Sequence, residues 1–221
     1  MFDLSFAEAH PTYTTAWFAN MVNLQTIKDM KEYLNTSNVT NMATMFYGCS
    51  MLENIDLSKF DTRSVENMIS MFYDCGSLEK LDLSSFDTHK VVEMDQMFYD
   101  CRMLGQILVG DGWSTESVTS SGNMFYQCWS LVGSAGTYFD DDHIDAGYAH
   151  VDGGKNDPGY LTKALNGDVN GDGAVDVADI AAIIDVMAGS GLEFKDRADV
   201  NADSSVDVAD IATIIDIMAG K

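Results

Sequence analysis

Val65-Glu-Asn-Met-Ile-Ser-Met-Phe-Tyr-Asp-Cys-Gly-Ser-Leu-Glu-Lys-Leu-Asp-Leu83 recurs, with small changes, on both sides of itself. Cys49, Cys75, Cys101 and Cys128 mark the register at spacings of 26, 26 and 27 residues, each following Met-Phe-Tyr and one further residue. A period of this length marks a solenoid, in which one coil buries nothing alone and stacked coils share a continuous core. Within the copy, Val65, Met68, Met71 and Phe72 have helical spacing and predict a short helical turn with one apolar face. Leu78, Leu81 and Leu83 follow. The last two alternate with Asp82, which predicts a short strand with its leucines inward and its aspartate outward.

Working outward, residues 16–24 are a worn opening copy in which Trp17 and Phe18 replace Met-Phe and Met21 takes the cysteine place. Leu34 to Val39 matches Phe60 to Val65. The fourth copy, Val118 to Cys128, keeps its length with Gly122 expected in place of an apolar residue. After Cys128 the strand pattern stops, and residues 133–160, rich in Gly, Asp and Tyr, predict the polar end cap that a solenoid needs. Asp140-Asp-Asp-His143 could ligate a metal, but no regular element is expected there to fix it.

The 221 residues carry a net charge of −23 with ordinary hydrophobic content, 46%. Nucleic acid and anionic membranes would repel such a chain; cations would not. No stretch is long and apolar enough to span a bilayer, and the first residues lack a signal-peptide pattern, so either the protein stays inside the cell or its secretion signal lies outside this sequence. The four cysteines share one phase of the repeat and should stack about one strand spacing, ~5 Å, apart. That allows either buried free thiols or Cys49–Cys75 and Cys101–Cys128 disulfides. Tyr47, Tyr73, Tyr99 and Tyr126 form a second column, which either binds a sugar or protein or packs between coils with its hydroxyls wet. Asp56, Ser58, Asp82 and Ser84 should face outward. The repeated methionines hold fixed positions and read as core.

A second repeat of different physics begins at Asp168 and returns 31 residues later at Asp199. Each copy places oxygen ligands at loop positions one, three, five and twelve: Asp168, Asn170, Asp172 and Asp179, then Asp199, Asn201, Asp203 and Asp210. The carbonyls of Ala174 and Ser205 stand at position seven, and Asp176 and Asp207 at position nine would act through water. Calcium takes six to eight hard oxygens, and this spacing wraps a loop around it, so two Ca2+ sites are expected. Gly173 suits the left-handed turn at position six and Ser204 does not, which makes the second site the weaker one. After each loop comes an apolar-faced helix, with Ile180, Ile183, Ile184 and Met187, then Ile211, Ile214, Ile215 and Met218, expected to bury these stripes against each other. Pro158-Gly159 and Asn166-Gly167 leave no room for a helix before the first loop.

Residues 2–162 resemble the BspA-type leucine-rich-repeat surface proteins of bacteria, through Asn-Val-Thr-Asn-Met-Ala-Thr-Met-Phe-Tyr-Gly-Cys, Leu-Asp-Leu-Ser-Ser-Phe-Asp-Thr and the closing Asp-Gly-Gly-Lys-Asn-Asp-Pro-Gly-Tyr-Leu-Thr. The tail, 167–221, resembles a dockerin. The expected fold is an α/β leucine-rich-repeat solenoid over 1–163, with short parallel strands and short helices, a linker at 164–166, and a small all-α calcium-binding domain of two loop–helix repeats over 167–221. The resemblance implies an extracellular or cell-surface binding and adhesion protein that is not an enzyme. Its repeats would take a protein or glycan ligand, and its tail would dock on a cohesin-like partner through Val177, Ala178, Val208 and Ala209. The rival reading is a structural subunit or accessory component of a polysaccharide-degrading complex. A glycosidase needs two carboxylates held about 5–10 Å apart across a cleft, whereas Asp56 and Asp82 form only a repeating column. The four histidines share no spacing that suggests a triad.

Overall fold

The computed structural model describes residues 9–28, 30–191, 194–201, 203 and 205–221. The chain divides into two compact units, Met1–Lys163 and Ala164–Lys221.

In the first unit the repeats stack as coils joined by a regular backbone ladder. The N–H groups of Met68, Ser70, Phe72 and Asp74 donate to the carbonyls of Glu93, Asp95, Met97 and Tyr99 in the next coil, at 2.8–2.9 Å. The N–H groups between them, of Met71, Tyr73 and Cys75, donate three residues back within their own coil at 3.2 Å. Alternate residues thus bond along and across the stack. The predicted helical turn is therefore not a helix but a run of consecutive β-turns. A helix would commit every N–H to its own coil and leave none for the neighbour. The first and last turns of each run have a positive φ at their third residue. Thr44 and Gly48, Ser70 and Asp74, Gln96 and Asp100, and Asn123 and Gln127 supply it at φ between 51° and 69°. Parallel bridges Tyr13–Asn41–Asn67–Glu93–Ser120 hold the start of each run in register.

The residues that these turns aim inward form ladders. Phe18, Phe46, Phe72, Phe98 and Phe125 stack with centroids 5.4–5.9 Å apart. Met42, Met45, Met68, Met71, Met94, Met97 and Met124 are fully buried beside them. Each buried Phe or Met contributes about 1.5–3 kcal/mol of transfer free energy. In the fourth coil it is Ser121, not Gly122, that takes the buried methionine place, and its hydroxyl accepts from the N–H of Ala146 in the cap at 3.1 Å. The predicted strand is regular in two coils. Strands β1 (Lys80–Leu83), β2 (Gln106–Val109) and β3 (Thr162–Lys163) form a parallel sheet in that order, with Lys80 opposite Gln106 and Leu108 opposite Thr162. The equivalent residues 54–57 are not strand. One short helix, α1 (Met30–Tyr33), lies between the opening copy and the first full coil.

Threonines at the second bend clip coil to coil. Thr62 Oγ1 donates to the Asp87 carbonyl and accepts from the Asp87 N–H, and Thr88 does the same with Ser114 at 2.7 Å each way. Both threonines are buried. All four cysteines are free and buried, so the disulfide alternative falls away. Each Sγ donates to a phenylalanine carbonyl of the preceding coil, at 3.0–3.2 Å. Burial raises the Cys75 and Cys128 thiols and pushes Cys101 up to about 12, which makes the column unreactive.

The cap is built on Asp152. Its carboxylate is buried and accepts from the N–H groups of Ala135, Thr137, Gly154 and Gly159 and from the Thr137 hydroxyl. Tyr160 closes the phenylalanine ladder edge-on to Phe125 at 5.3 Å, and Trp113 Nε1 donates to the Ala149 carbonyl at 2.9 Å. At Gly159 a Cβ would stand 2.4 Å from the His150 carbonyl oxygen, so only glycine lets these two backbones meet.

Replacing Thr88 by valine keeps the shape and strands the Ser114 N–H and carbonyl. A loss of about 2 kcal/mol in denaturant unfolding is expected. Burial pushes the Asp152 carboxyl up, but its hydrogen bonds, led by those from Thr137, pull it down to about 2. Its contribution to stability is therefore complete above the ordinary carboxylate value of 3.8 and is lost as pH falls through about 2. Melting temperature followed from pH 5 to pH 2 should fall more steeply in the native chain than in Asp152→Asn, which starts lower.

Candidate functional site

In the second unit, helices α2 (Val177–Met187), α3 (Lys195–Ala198) and α4 (Val208–Met218) enclose a small core of Val169, Ala182, Ile183, Ala198, Val200 and Ile214. Helix α2 packs on both others. The two long helices begin alike. Asp176 caps α2 by accepting from the Ala178 N–H, while Asp179, three residues on, accepts from the Asp176 N–H. Asp207 and Asp210 repeat this reciprocal box at α4. Such caps are worth about 1 kcal/mol each. Position nine of each loop is thus a helix cap.

Position twelve does more than start the helix. Buried Asp179 also accepts through Oδ1 from the N–H groups of Val169 and Asn170, at 2.7 and 3.0 Å. Asp210, equally buried, does the same for Val200 and Asn201 at 2.8 and 3.2 Å. One carboxylate therefore joins the second, third and ninth residues of its loop to the helix that follows. The rest of the loop closes on itself. Asp168 accepts from the N–H groups of Asp172 and Gly173, and the Asn170 amide donates to Asp172. Asp199, Asn201 and Asp203 share the first and third of these contacts. Gly173 adopts φ +90°, as position six requires; Ser204 lies outside the described residues.

These contacts close Asp168, Asn170, Asp172 and Asp179 into one twelve-residue loop whose carboxylate and amide side chains all offer oxygen. That chemistry fits a hard divalent cation, with the Ala174 carbonyl at position seven as a further oxygen. Among the described residues, no three His, Cys, Asp or Glu side chains converge closely enough to form a metal cluster by themselves. The loop set draws on an amide and a carbonyl as well. The Asp140–His143 run is not a cluster either. His143 lies 3.6 Å from Asp140 and stacks on Tyr148 at 4.3 Å.

The apolar stripes of the helices are not buried as a whole, contrary to expectation. Ile183 and Ile214 are fully buried, but Ile184, Met187, Ile215 and Met218 are 44–51% exposed. Val177 and Val208 are each 70% exposed, and Ala178 and Ala209 are exposed beside them. The two helices thus present matching apolar outer faces.

In the first unit, Tyr47, Tyr73, Tyr99 and Tyr126 are half-buried; the first three stack face to face at 4.6 Å, and Tyr126 lies tilted by 34° on Tyr99 at 4.9 Å. The Asp56 and Asp82 carboxylates accept from the N–H groups of Ser58 and Ser84 and so shape the turns after the strand positions. Two features have no counterpart in the repeat spacing. Asp152, read at first only as part of a polar segment, carries the cap, and Arg102 lies over the ring of Trp129. The latter sits where the repeat consensus has changed from Ser50 and Gly76, which was the available signal.

Residues 13–138, more than half of the chain, match the family described as Mycoplasma protein of unknown function, DUF285, and the chain belongs to that family. Residues 166–218 match the dockerin type I domain, which covers both loops and both long helices described above. No curated protein and no solved structure matches the chain. No helix among the described residues is long and apolar enough to cross a membrane.

Asp179→Ala removes three hydrogen bonds at once and should cost the tail about 3 kcal/mol, read as lost helix signal on heating. Asp185→Ala, an exposed substitution on the same helix, should change it by less than about 0.5 kcal/mol.

Proposed function

We propose that this chain is an extracellular, non-catalytic binding protein whose tail holds two calcium ions and docks on a cohesin-like partner. The observation that carries the reading is the duplication. Two loops of the same oxygen pattern are each locked by a buried aspartate to a helix with an exposed apolar face. In the first loop Asp168, Asn170, Asp172, Asp179 and the Ala174 carbonyl hold the ion, with Asp176 behind a water. In the second, Asp199, Asn201, Asp203, Asp210 and the Ser205 carbonyl do so, with Asp207 in the same place. Calcium offsets the mutual repulsion of four carboxylates per loop and so favours the folded tail. Val177, Ala178, Val208 and Ala209 contact the cohesin-like domain, and their apolar exposure supports that role.

The first unit is on this reading a leucine-rich-repeat solenoid of the BspA type that takes a protein or glycan ligand. The tyrosine column belongs to its binding face. The tail then attaches the ligand-binding unit to a partner assembly, which accommodates an accessory role in a polysaccharide-degrading complex.

Calorimetric titration of the full chain with calcium, followed by circular dichroism before and after chelation, tests the core of this reading. Two bound ions and a loss of helix on chelation are expected. A chain that takes up no calcium and keeps its helix signal in chelator overturns the metal-dependent tail.

A further inference from the structure

We propose that Trp129, held by Arg102 and Asp100, is the platform of a binding site for a neutral glycan. The proposal rests on the reading of the repeats as a ligand-binding unit and locates the ligand within it. Asp100 stands at a fixed turn position with φ 61°, and its side chain is only 16% exposed. It grips the Arg102 guanidinium with both oxygens, Nε to Oδ1 and Nη2 to Oδ2. The guanidinium carbon then lies 5.3 Å from the centre of the Trp129 ring, within cation–π distance. Ser130 Oγ donates to the Arg102 carbonyl at 2.8 Å and ties the two coils together at the same point. An exposed tryptophan is thus set in place before any ligand arrives.

That order matters energetically. Trp129 is 57% exposed, a large apolar area left in water beside a phenylalanine ladder that is buried from Phe46 to Phe125. Because the ring is already oriented, binding against it forfeits little side-chain entropy. Arg102 lies over one face of the indole, which leaves a sugar the opposite face, and with two of its five N–H donors spent on Asp100 it keeps others beside the ring. A hexose matches this pair of features, with one face of C–H groups to lie on the indole and a rim of hydroxyls to accept from the guanidinium. Asp100 compensates the arginine locally, and the net charge of −23 repels polyanions, which selects a neutral glycan over a sulfated or uronate-rich one. Inside the tyrosine column, rings 4.6 Å apart cover one another's faces, so the flat platform for a sugar ring comes from Trp129. The nearby Asp61–Arg63 pair has the same two-point grip, but the place one coil on from Arg63 is His89, tied to Asp87. Position 129 adds what that pair lacks.

Affinity electrophoresis of the full chain through gels containing soluble β-glucan, xylan or galactomannan tests the assignment. The native chain should be retarded by at least one of them. Trp129→Ala should weaken that retardation roughly tenfold or more without lowering the melting temperature, because the ring is exposed. Arg102→Met should weaken it severalfold. No retardation by any of the three, or equal retardation of the Trp129→Ala variant, overturns the proposal. Binding lost in Tyr73→Ser but kept in Trp129→Ala also overturns it, while leaving the repeats as a glycan-binding unit that works through the tyrosine column.

Discussion

The first unit depends on a division of labour among backbone N–H groups. In each coil that has another after it, alternate residues donate to the next coil and the residues between them close turns within their own. This arrangement is possible only if the chain reverses twice in a few residues, which places a left-handed φ at two positions four apart in every coil. Most of those positions are not glycine. Left-handed backbone costs a non-glycine residue roughly 1–2 kcal/mol. It persists because the same turns aim a phenylalanine, a methionine and a cysteine into the core of every coil after the opening one. Packing of whole ladders outweighs local strain, and no single coil could sustain it.

The same logic explains the ends and seams of the stack. Threonine hydroxyls that donate and accept with one residue of the next coil tolerate no slip of register. The cysteine column adds weak S–H bonds to carbonyls that already accept from their own coil. Where the ladder must stop, a buried carboxylate replaces the missing coil, and five donors converge on Asp152 where a further repeat would have supplied backbone partners. A single charged group can end the stack because it offers several acceptor positions in a small volume.

The tail solves a smaller problem with similar means. Two short loops with helices bury few side chains, so much of their order comes from polar groups. Asp179 and Asp210 each serve as loop tie and helix cap together. Having so little core, the tail cannot bury both faces of its helices, and matching apolar surfaces remain outside. Such surfaces on an otherwise acidic chain are the part of the tail suited to contact with another protein.

Periodicity made much of this legible from residue types alone. The fixed phase of Met, Phe, Cys and Leu showed that coils stack and which side chains form the core. The twelve-residue spacing of Asp and Asn showed where the oxygen-lined loops lie. Both are local and repeated patterns, and such patterns survive in a single chain without any structure. Other features were settled only in three dimensions. Met68, Met71 and Phe72 have helical spacing, but the backbone there forms turns, because the hydrogen-bond partners are 25 residues away and not four. Ile184 and Met187 share a helical stripe with Ile183, yet only Ile183 is buried, since the partner helix is too narrow to cover more. The free state of the cysteines, the five bonds to Asp152 and the stacking of Arg102 on Trp129 likewise belong to the tertiary structure. Each joins residues whose meeting depends on how coils lie on one another, and residue order alone does not encode that distance.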